Sequence, residues 1–117
     1  MFTSIATSRS SAKRRTSPGE RAKRSELERA RRRGDHSREQ ELLIELEATE
    51  PKEPRWPHKL GDVLRRTGRN AEAAAAYDRA AERYAYSGFR ERADAMRLVA
   101  DGQRSEATSQ SERGWLS

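Results

Sequence analysis

The residue types that could carry catalysis or bind a metal ion are few in this chain. Its two histidines, His36 and His58, are 22 residues apart, a spacing that predicts no shared metal ion. There is no cysteine, which excludes disulfides, thiol catalysis and cysteine-based zinc sites. Glutamates such as Glu20 have an arginine four positions later (Arg24), the spacing of a surface ion pair on a helix. The sequence also has no glycine-rich phosphate loop. We therefore predict that the protein is not an enzyme and uses no metal ion or cofactor.

The composition predicts a thin hydrophobic core. Leu, Ile, Val and Phe together account for 14 of the 117 residues, a share of about 12%, whereas chains below about 20% are often disordered. Much of the remaining apolar content is alanine, which buries little area per residue. We expect the folded part to be only marginally stable, because so small a core offsets the chain entropy narrowly.

Positive charge is concentrated in the N-terminal third of the chain. Residues 1–36 contain 11 Lys or Arg against 4 Asp or Glu, whereas the remaining residues contain 14 against 15. A basic segment attached to a near-neutral body indicates an anionic partner. The alternative is a solvated tail in a sequence that is rich in arginine throughout.

Five helices are predicted within a domain that spans residues 18–102. Residues 1–17 have no hydrophobic period and are predicted to be a disordered basic tail. Ser17, Pro18 and Glu20 have the spacing of a helix start. Residues 103–117 are polar and are predicted to be a second disordered tail. The predicted helices span about 18–33, 37–48, 55–67, 70–86 and 89–100.

Apolar side chains recur on one face of each predicted helix, which is the pattern of helices that share a core. The first helix offers only Ala22, Leu27 and Ala30 for burial. The stripes predicted for the other four are Leu42, Leu43 and Leu46; Trp56, Leu60, Val63 and Leu64; Ala73, Tyr77, Ala80 and Tyr84; and Phe89, Ala93, Met96 and Ala100.

The helices follow an internal repeat. Gly34, Gly68 and Gly102 are 34 residues apart, and apolar positions match in the same register, for example Leu64 with Leu98. Helix–turn–helix units with this period are typical of tetratricopeptide repeats.

The middle unit strengthens the resemblance to that family. Residues 56–80, WPHKLGDVLRRTGRNAEAAAAYDRA, resemble its pattern W-x2-L-G-x2-Y…A-x3-F. The sequence departs from the pattern by one extra residue between Trp56 and Leu60, and by Leu64 where Tyr is usual. Small residues such as Gly61 would let paired helices approach closely, and Tyr77 would fill the gap between neighbouring hairpins.

The last predicted helix fits two registers. The segment YAYSGFRERADA, residues 84–95, resembles a variant found in bacterial members of the family, in which Gly88 and Ala93 repeat the spacing of Gly68 and Ala73. The helix can therefore be placed either by this spacing or by the 34-residue period. The residues that define the repeat are Trp56, Leu60, Gly61, Leu64, Gly68, Ala73, Tyr77, Ala80, Gly88 and Ala93.

The resemblance implies an all-α, right-handed stack of antiparallel helical hairpins, about two and a half repeats long, that binds a protein or peptide in its groove. Because guanidinium groups bind carboxylates in bidentate fashion, we expect an acidic peptide or C-terminal tail as the partner. The alternative is that these side chains are solvated helix faces. An incomplete stack also indicates a homo-oligomer, a stabilising partner or a fragment of a longer repeat protein. The predicted groove residues are Arg24, Arg31, Arg55, His58, Asp62, Arg65 and Arg66.

Nucleic-acid or ribosome binding through residues 9–33 is the main alternative function. A basic segment neutralises phosphates, but this one has no interleaved aromatic residue for base stacking, so its binding would be of the backbone type. A second alternative is a largely disordered chain that folds on binding, since 38% of the residues are charged. The longest apolar run, Ala73 to Tyr77, is too short to span a membrane, and the absence of cysteine fits a cytoplasmic location.

Overall fold

The computed structural model describes residues 18–116, with side chains described for residues 18–114. All regular structure within this range is helical, which confirms the predicted all-α class and the number of five helices. The predicted tail over 1–17 lies outside the described residues. The helices are α1 (Pro18–Arg33), α2 (His36–Thr49), α3 (Arg55–Arg66), α4 (Asn70–Tyr86) and α5 (Arg90–Leu116).

Three of the helices end at a glycine in the left-handed conformation. The φ angle is 71° at Gly34, 79° at Gly68 and 90° at Gly88, a region that glycine enters without steric cost. In each case the residue after the glycine donates its N–H to the carbonyl five residues earlier, at 2.8 to 2.9 Å, which satisfies a free carbonyl of the last turn. The next helix begins two residues after the glycine. These three turns are therefore the same structural unit used three times.

The position of Gly88 decides the register of the last helix. α5 follows Gly88 as α2 follows Gly34 and α4 follows Gly68, so the variant spacing is confirmed for this helix. Gly102 lies in the interior of α5, so the predicted end of this helix near residue 100 is wrong. The prediction of a disordered tail from residue 103 is likewise wrong for residues 103–114, which are helical.

α5 continues past its glycine because it packs antiparallel along the length of α4. Arg104 donates to Asp78 of α4 at 2.6 Å and also binds Asp101, one turn earlier in α5. Gln103 and Ala107 are half-buried and extend the buried stripe of α5 toward its C-terminal half. Tertiary contact thus outweighs the weak local helix propensity of glycine and serine in this segment.

The core is formed by the predicted apolar stripes. Leu27 and Ala30 of α1 are buried, as are the stripes of α2, α3 and α4 and three residues of α5, Ala93, Met96 and Ala100. Two residues of the predicted stripes are not buried. Ala22 is exposed on α1, and Phe89 is 50% exposed because it precedes the first turn of α5. The 34-residue match of Leu98 with the buried Leu64 also fails, because the register of α5 turns Leu98 away from α4 and leaves it 73% exposed.

α3 and α4 lie close together where Gly61 meets Tyr77. A Cβ atom placed on Gly61 would lie 2.8 Å from the ring of Tyr77, so the ring occupies the space that any other residue would fill. Tyr77 is 1% exposed, and its hydroxyl donates to Asp62 at 2.5 Å. Gly61 therefore has the packing role that the sequence predicted, and Tyr77 fills the space beside it within the α3–α4 pair.

Alternate helices run in the same direction and form two layers. Arg24 of α1 lies over Trp56 at the start of α3, and Arg31 near the end of α1 shares a hollow with Arg66 at the end of α3. α1 and α3 are therefore parallel. Arg92 near the start of α5 lines one cleft with Arg55 at the start of α3, which places α5 in the same layer.

The second layer contains α2 and α4. Glu47 of α2 accepts from Arg79 of α4 at 2.7 Å, and Arg69, which precedes α4, donates to Gln40 near the start of α2 at 3.0 Å. The order of these contacts makes α2 and α4 parallel as well. Each helix thus packs against its neighbour in sequence, while side-chain bridges connect alternate helices within a layer.

Candidate binding site

The structure divides the predicted groove residues between the two ends of α3. One group lies in a small hollow between α1 and α3, with a volume of about 60 Å³, which Arg31, Asp62 and Arg66 line together. Glu28, Glu39 and Lys59 share the hollow, so its three cations face three carboxylates. An acidic ligand here would have to compete with carboxylates of the protein itself.

Glu39 is the unusual residue of this hollow. It occupies the position that Ala73 and Ala93 have after their glycine turns, yet it is only 4% exposed. Arg66 lies 3.4 Å from its carboxylate and His36 lies 3.7 Å from it. An unpaired buried carboxylate is costly, and Arg66 offsets that cost by pairing with Glu39. Arg66 therefore already has a partner within the fold.

The second group surrounds Trp56 at the start of α3. The guanidinium groups of Arg24 and Arg55 lie 5.2 and 5.1 Å from the centre of the indole ring, within cation–π distance. Glu50 accepts from both Arg24 and the Trp56 ring nitrogen at 2.8 Å. Arg55 is paired with Glu53 at 3.1 Å. Burial alone would raise the pKa of Glu53, but its hydrogen bonds and charge interaction with Arg55 outweigh burial and lower that pKa.

His58 and Asp62 link α3 to α4. His58 Nδ1 and the Tyr84 hydroxyl share a hydrogen bond of 2.9 Å, while Asp62 accepts from Tyr77. Burial and the hydrogen bond to Asp62 raise the pKa of Tyr77 well above its ordinary value. These two predicted groove residues therefore have structural partners. Arg65 is exposed at the last turn of α3.

A larger cleft, which the sequence reasoning missed, lies between two turns of the chain. It has a volume of about 630 Å³ and is formed by the turn between α2 and α3 together with the turn between α4 and α5. We call it the turn cleft. A local signal was present in Phe89, an aromatic residue at the start of a helix, but the cleft joins segments more than 30 residues apart. Its lining residues are Glu50, Pro51, Lys52, Glu53, Pro54, Arg55, Tyr84, Ser87, Phe89 and Arg92.

A third groove runs between α2 and α4 in the other layer, with a volume of about 530 Å³. Ile44, which is 50% exposed, and Ala75 lie along it, and Leu60 and Leu64 of α3 contribute to its lining. Glu47 bridges the groove to Arg79 and Arg83 of α4. Burial would raise the pKa of Glu47, but these arginines outweigh burial and lower it.

Two further observations concern the described part of the chain. No group of three or more histidine, aspartate or glutamate side chains among these residues could hold a metal ion. None of its helices has a stretch that is long and apolar enough to cross a bilayer. Comparison with known proteins identified no relative: no protein-family model, no curated protein and no solved structure matches the chain.

Proposed function

We propose that the chain is a non-enzymatic helical-repeat module of the tetratricopeptide type that binds a protein or peptide partner. The observation that carries this proposal is the repeated unit: three identical glycine turns connect helices that alternate between two layers. Proteins built in this way stack short units into an extended surface and use that surface for binding. The shallow hollows between the helices fit contact with a polypeptide better than enclosure of a small molecule.

The charge distribution refines the expected partner. Arg24, Arg55 and Arg66 are paired with carboxylates of the protein, so a wall of free guanidinium groups does not explain binding. An acidic partner is still favoured at positions where a cation is exposed. Among the predicted groove residues, Arg65 at the end of α3 best fits this description.

The test is a pull-down with the tagged full chain from a lysate of its source, compared with two charge-reversal variants. Arg65→Glu alters the predicted groove. Arg97→Glu is the matched control, because Arg97 is exposed on α5 and its ion pair within residues 18–114 is with Asp94 of its own helix. We expect the same protein to be enriched by the intact chain and by the control and to be lost with Arg65→Glu. If the folded chain, verified by circular dichroism, enriches no specific protein, the proposal is refuted.

One observation keeps nucleic-acid binding as a second candidate. Arg29, Arg32 and Arg33 are exposed on α1, the helix that follows the basic segment in the sequence. A gel-shift experiment between about 50 and about 300 mM salt separates the two candidates, since phosphate binding weakens steeply with salt. A shift that is lost at high salt would favour nucleic acid, whereas a protein partner retained at high salt would favour the repeat module.

A further inference from the structure

From the structure we infer that the turn cleft binds a peptide segment in which a carboxylate side chain lies close to an aromatic or aliphatic one. This inference rests on the proposed function and specifies its ligand. It follows from an aromatic surface whose exposed ring, that of Phe89, the fold does not require, from two cations without carboxylate partners, and from two carboxylates that are already bound.

The aromatic surface is formed by Phe89 and Tyr84. Their rings meet edge to face, with centres 6.4 Å apart, and Phe89 is 50% exposed. The equivalent positions after the other two glycine turns hold polar residues, Asp35 and Arg69. The turn therefore forms without an aromatic residue, and the exposed ring of Phe89 is unfavourable in water. A ligand that covers this ring would remove that cost.

Arg92 provides the positive charge above this surface. Its guanidinium carbon lies 5.4 Å from the centre of the Phe89 ring and 5.9 Å from that of Tyr84. Contact with the two rings restrains the guanidinium group and reduces the entropy lost when it binds a carboxylate. Lys52 lies on the opposite turn, with its ammonium group 5.8 Å from the exposed ring of Tyr86. Within residues 18–114, neither cation forms an ion pair.

The two carboxylates of the turn cleft cannot neutralise these cations. Glu50 is bound by Arg24 and by the ring nitrogen of Trp56, and Glu53 is bound by the side chain and the backbone N–H of Arg55. The charge left over in the cleft is therefore positive and lies beside an apolar ring.

The same carboxylates favour a peptide over a nucleic acid. A strand of RNA or DNA carries a phosphate on every nucleotide, and several of these would approach Glu50 and Glu53 while only a few cations are available. A peptide needs a single carboxylate at Arg92 and one apolar side chain at Phe89. The turn cleft offers one such pair of contacts.

The experiment measures binding of short fluorescent peptides to the full chain by polarisation. Each peptide has a Ser/Gly background with one Glu and one Phe at varied separation, and a matched peptide has Gln in place of Glu. The variants are Arg92→Gln and Phe89→Ser. Serine is a favourable residue immediately before a helix, so the second variant removes the ring without weakening the start of α5. Arg97→Gln is the control, since it makes the same chemical change on the same helix away from the cleft.

We expect the Glu–Phe peptides to bind the intact chain and the control with equal affinity. Each cleft variant should bind them about tenfold more weakly, because it loses one charge-assisted hydrogen bond or one apolar contact. Equal binding of the Glu and Gln peptides, no binding of either set, or unchanged binding by Arg92→Gln would overturn the inference. Labelled oligouridylate is the second probe. If it binds the intact chain, binds Arg92→Gln more weakly and is not displaced by the peptides, the inference is overturned in favour of a nucleic-acid ligand.

The two proposals fail separately. A protein partner that the pull-down recovers equally with intact chain and with Arg92→Gln would leave the binding module in place and remove the turn cleft as its site. Failure of every pull-down, together with failure of the peptides, would remove both.

Discussion

Replacing Gly102 by alanine tests the most consequential correction that the structure makes. Gly102 lies inside α5, and a Cβ atom built on it meets no atom within 4 Å. The substitution should therefore contribute the helix propensity of alanine without any steric cost, which stabilises the fold by about 1 kcal/mol. For a domain of this size that corresponds to a melting temperature about 4 to 8 °C higher. If Gly102 instead ended a helix in the left-handed conformation, alanine would be strained and the melting temperature would fall.

The assay is thermal unfolding of the full chain followed by circular dichroism at 222 nm, with Gly68→Ala as the matched control. Gly68 has a φ of 79° and a free space around it, so the control measures the conformational cost alone, a loss of about 1 kcal/mol. Opposite shifts for the two variants would support a continuous α5. A decrease for Gly102→Ala similar to that of the control would refute the reasoning and restore the helix end predicted from the sequence.

Three further predictions follow from the packing and the ion pairs. Gly61→Ala should lower the melting temperature although alanine favours helices, because the added methyl group overlaps the ring of Tyr77 and overpacking costs about 1 to 3 kcal/mol; a higher melting temperature would contradict this. Tyr77→Phe should cost about 1 kcal/mol in urea unfolding through loss of the hydrogen bond to Asp62, and an unchanged midpoint would show that this bond contributes nothing. The pKa of Glu47 is lowered from its ordinary value near 4.5, so its ion pairs stabilise the fold fully above that pH and are lost as the pH falls through the folded-state pKa. Acid should therefore destabilise the Glu47→Gln variant less than the unsubstituted chain. Melting temperatures of the two proteins that fall in parallel from pH 7 to pH 3 would argue against this.

The helices and most of the core could be predicted from the sequence because both depend on local rules. Pro18, the glycine turns and the apolar spacing of residues such as Leu42 and Leu46 act over a few positions, and the structure confirms them. The error at Gly102 has a physical reason as well. Glycine weakens a helix but does not end it where tertiary contacts stabilise the helical conformation. Here α4 supplies such contacts, including the ion pair between Arg104 and Asp78.

The candidate site was less predictable because it depends on partners that are distant in sequence. The resemblance placed a row of arginines on one face but did not indicate that Glu39, Glu50 and Glu53 would pair with them. The turn cleft unites Lys52 and Arg92 through the parallel arrangement of α3 and α5, which has no signature in a single helix. Helical periodicity identifies which face is buried; it contains no information on which exposed charges meet.

The pairing of each helix with its sequence neighbours has a consequence for how the chain folds and opens. Because backbone proximity joins mainly helices that are adjacent in sequence, the loops that must close are short, and such topologies fold quickly. Opening should begin at an end of the array and spread inward one helix at a time, as in other linear stacks. The backbone of α1 lies close to that of α2, and α1 reaches α3 through side chains, with Arg24 on Trp56 and Arg31 in the hollow beside Arg66. Its amides should therefore exchange with solvent before those of α3 and α4. The glycine turns would then act as the joints at which successive helices detach.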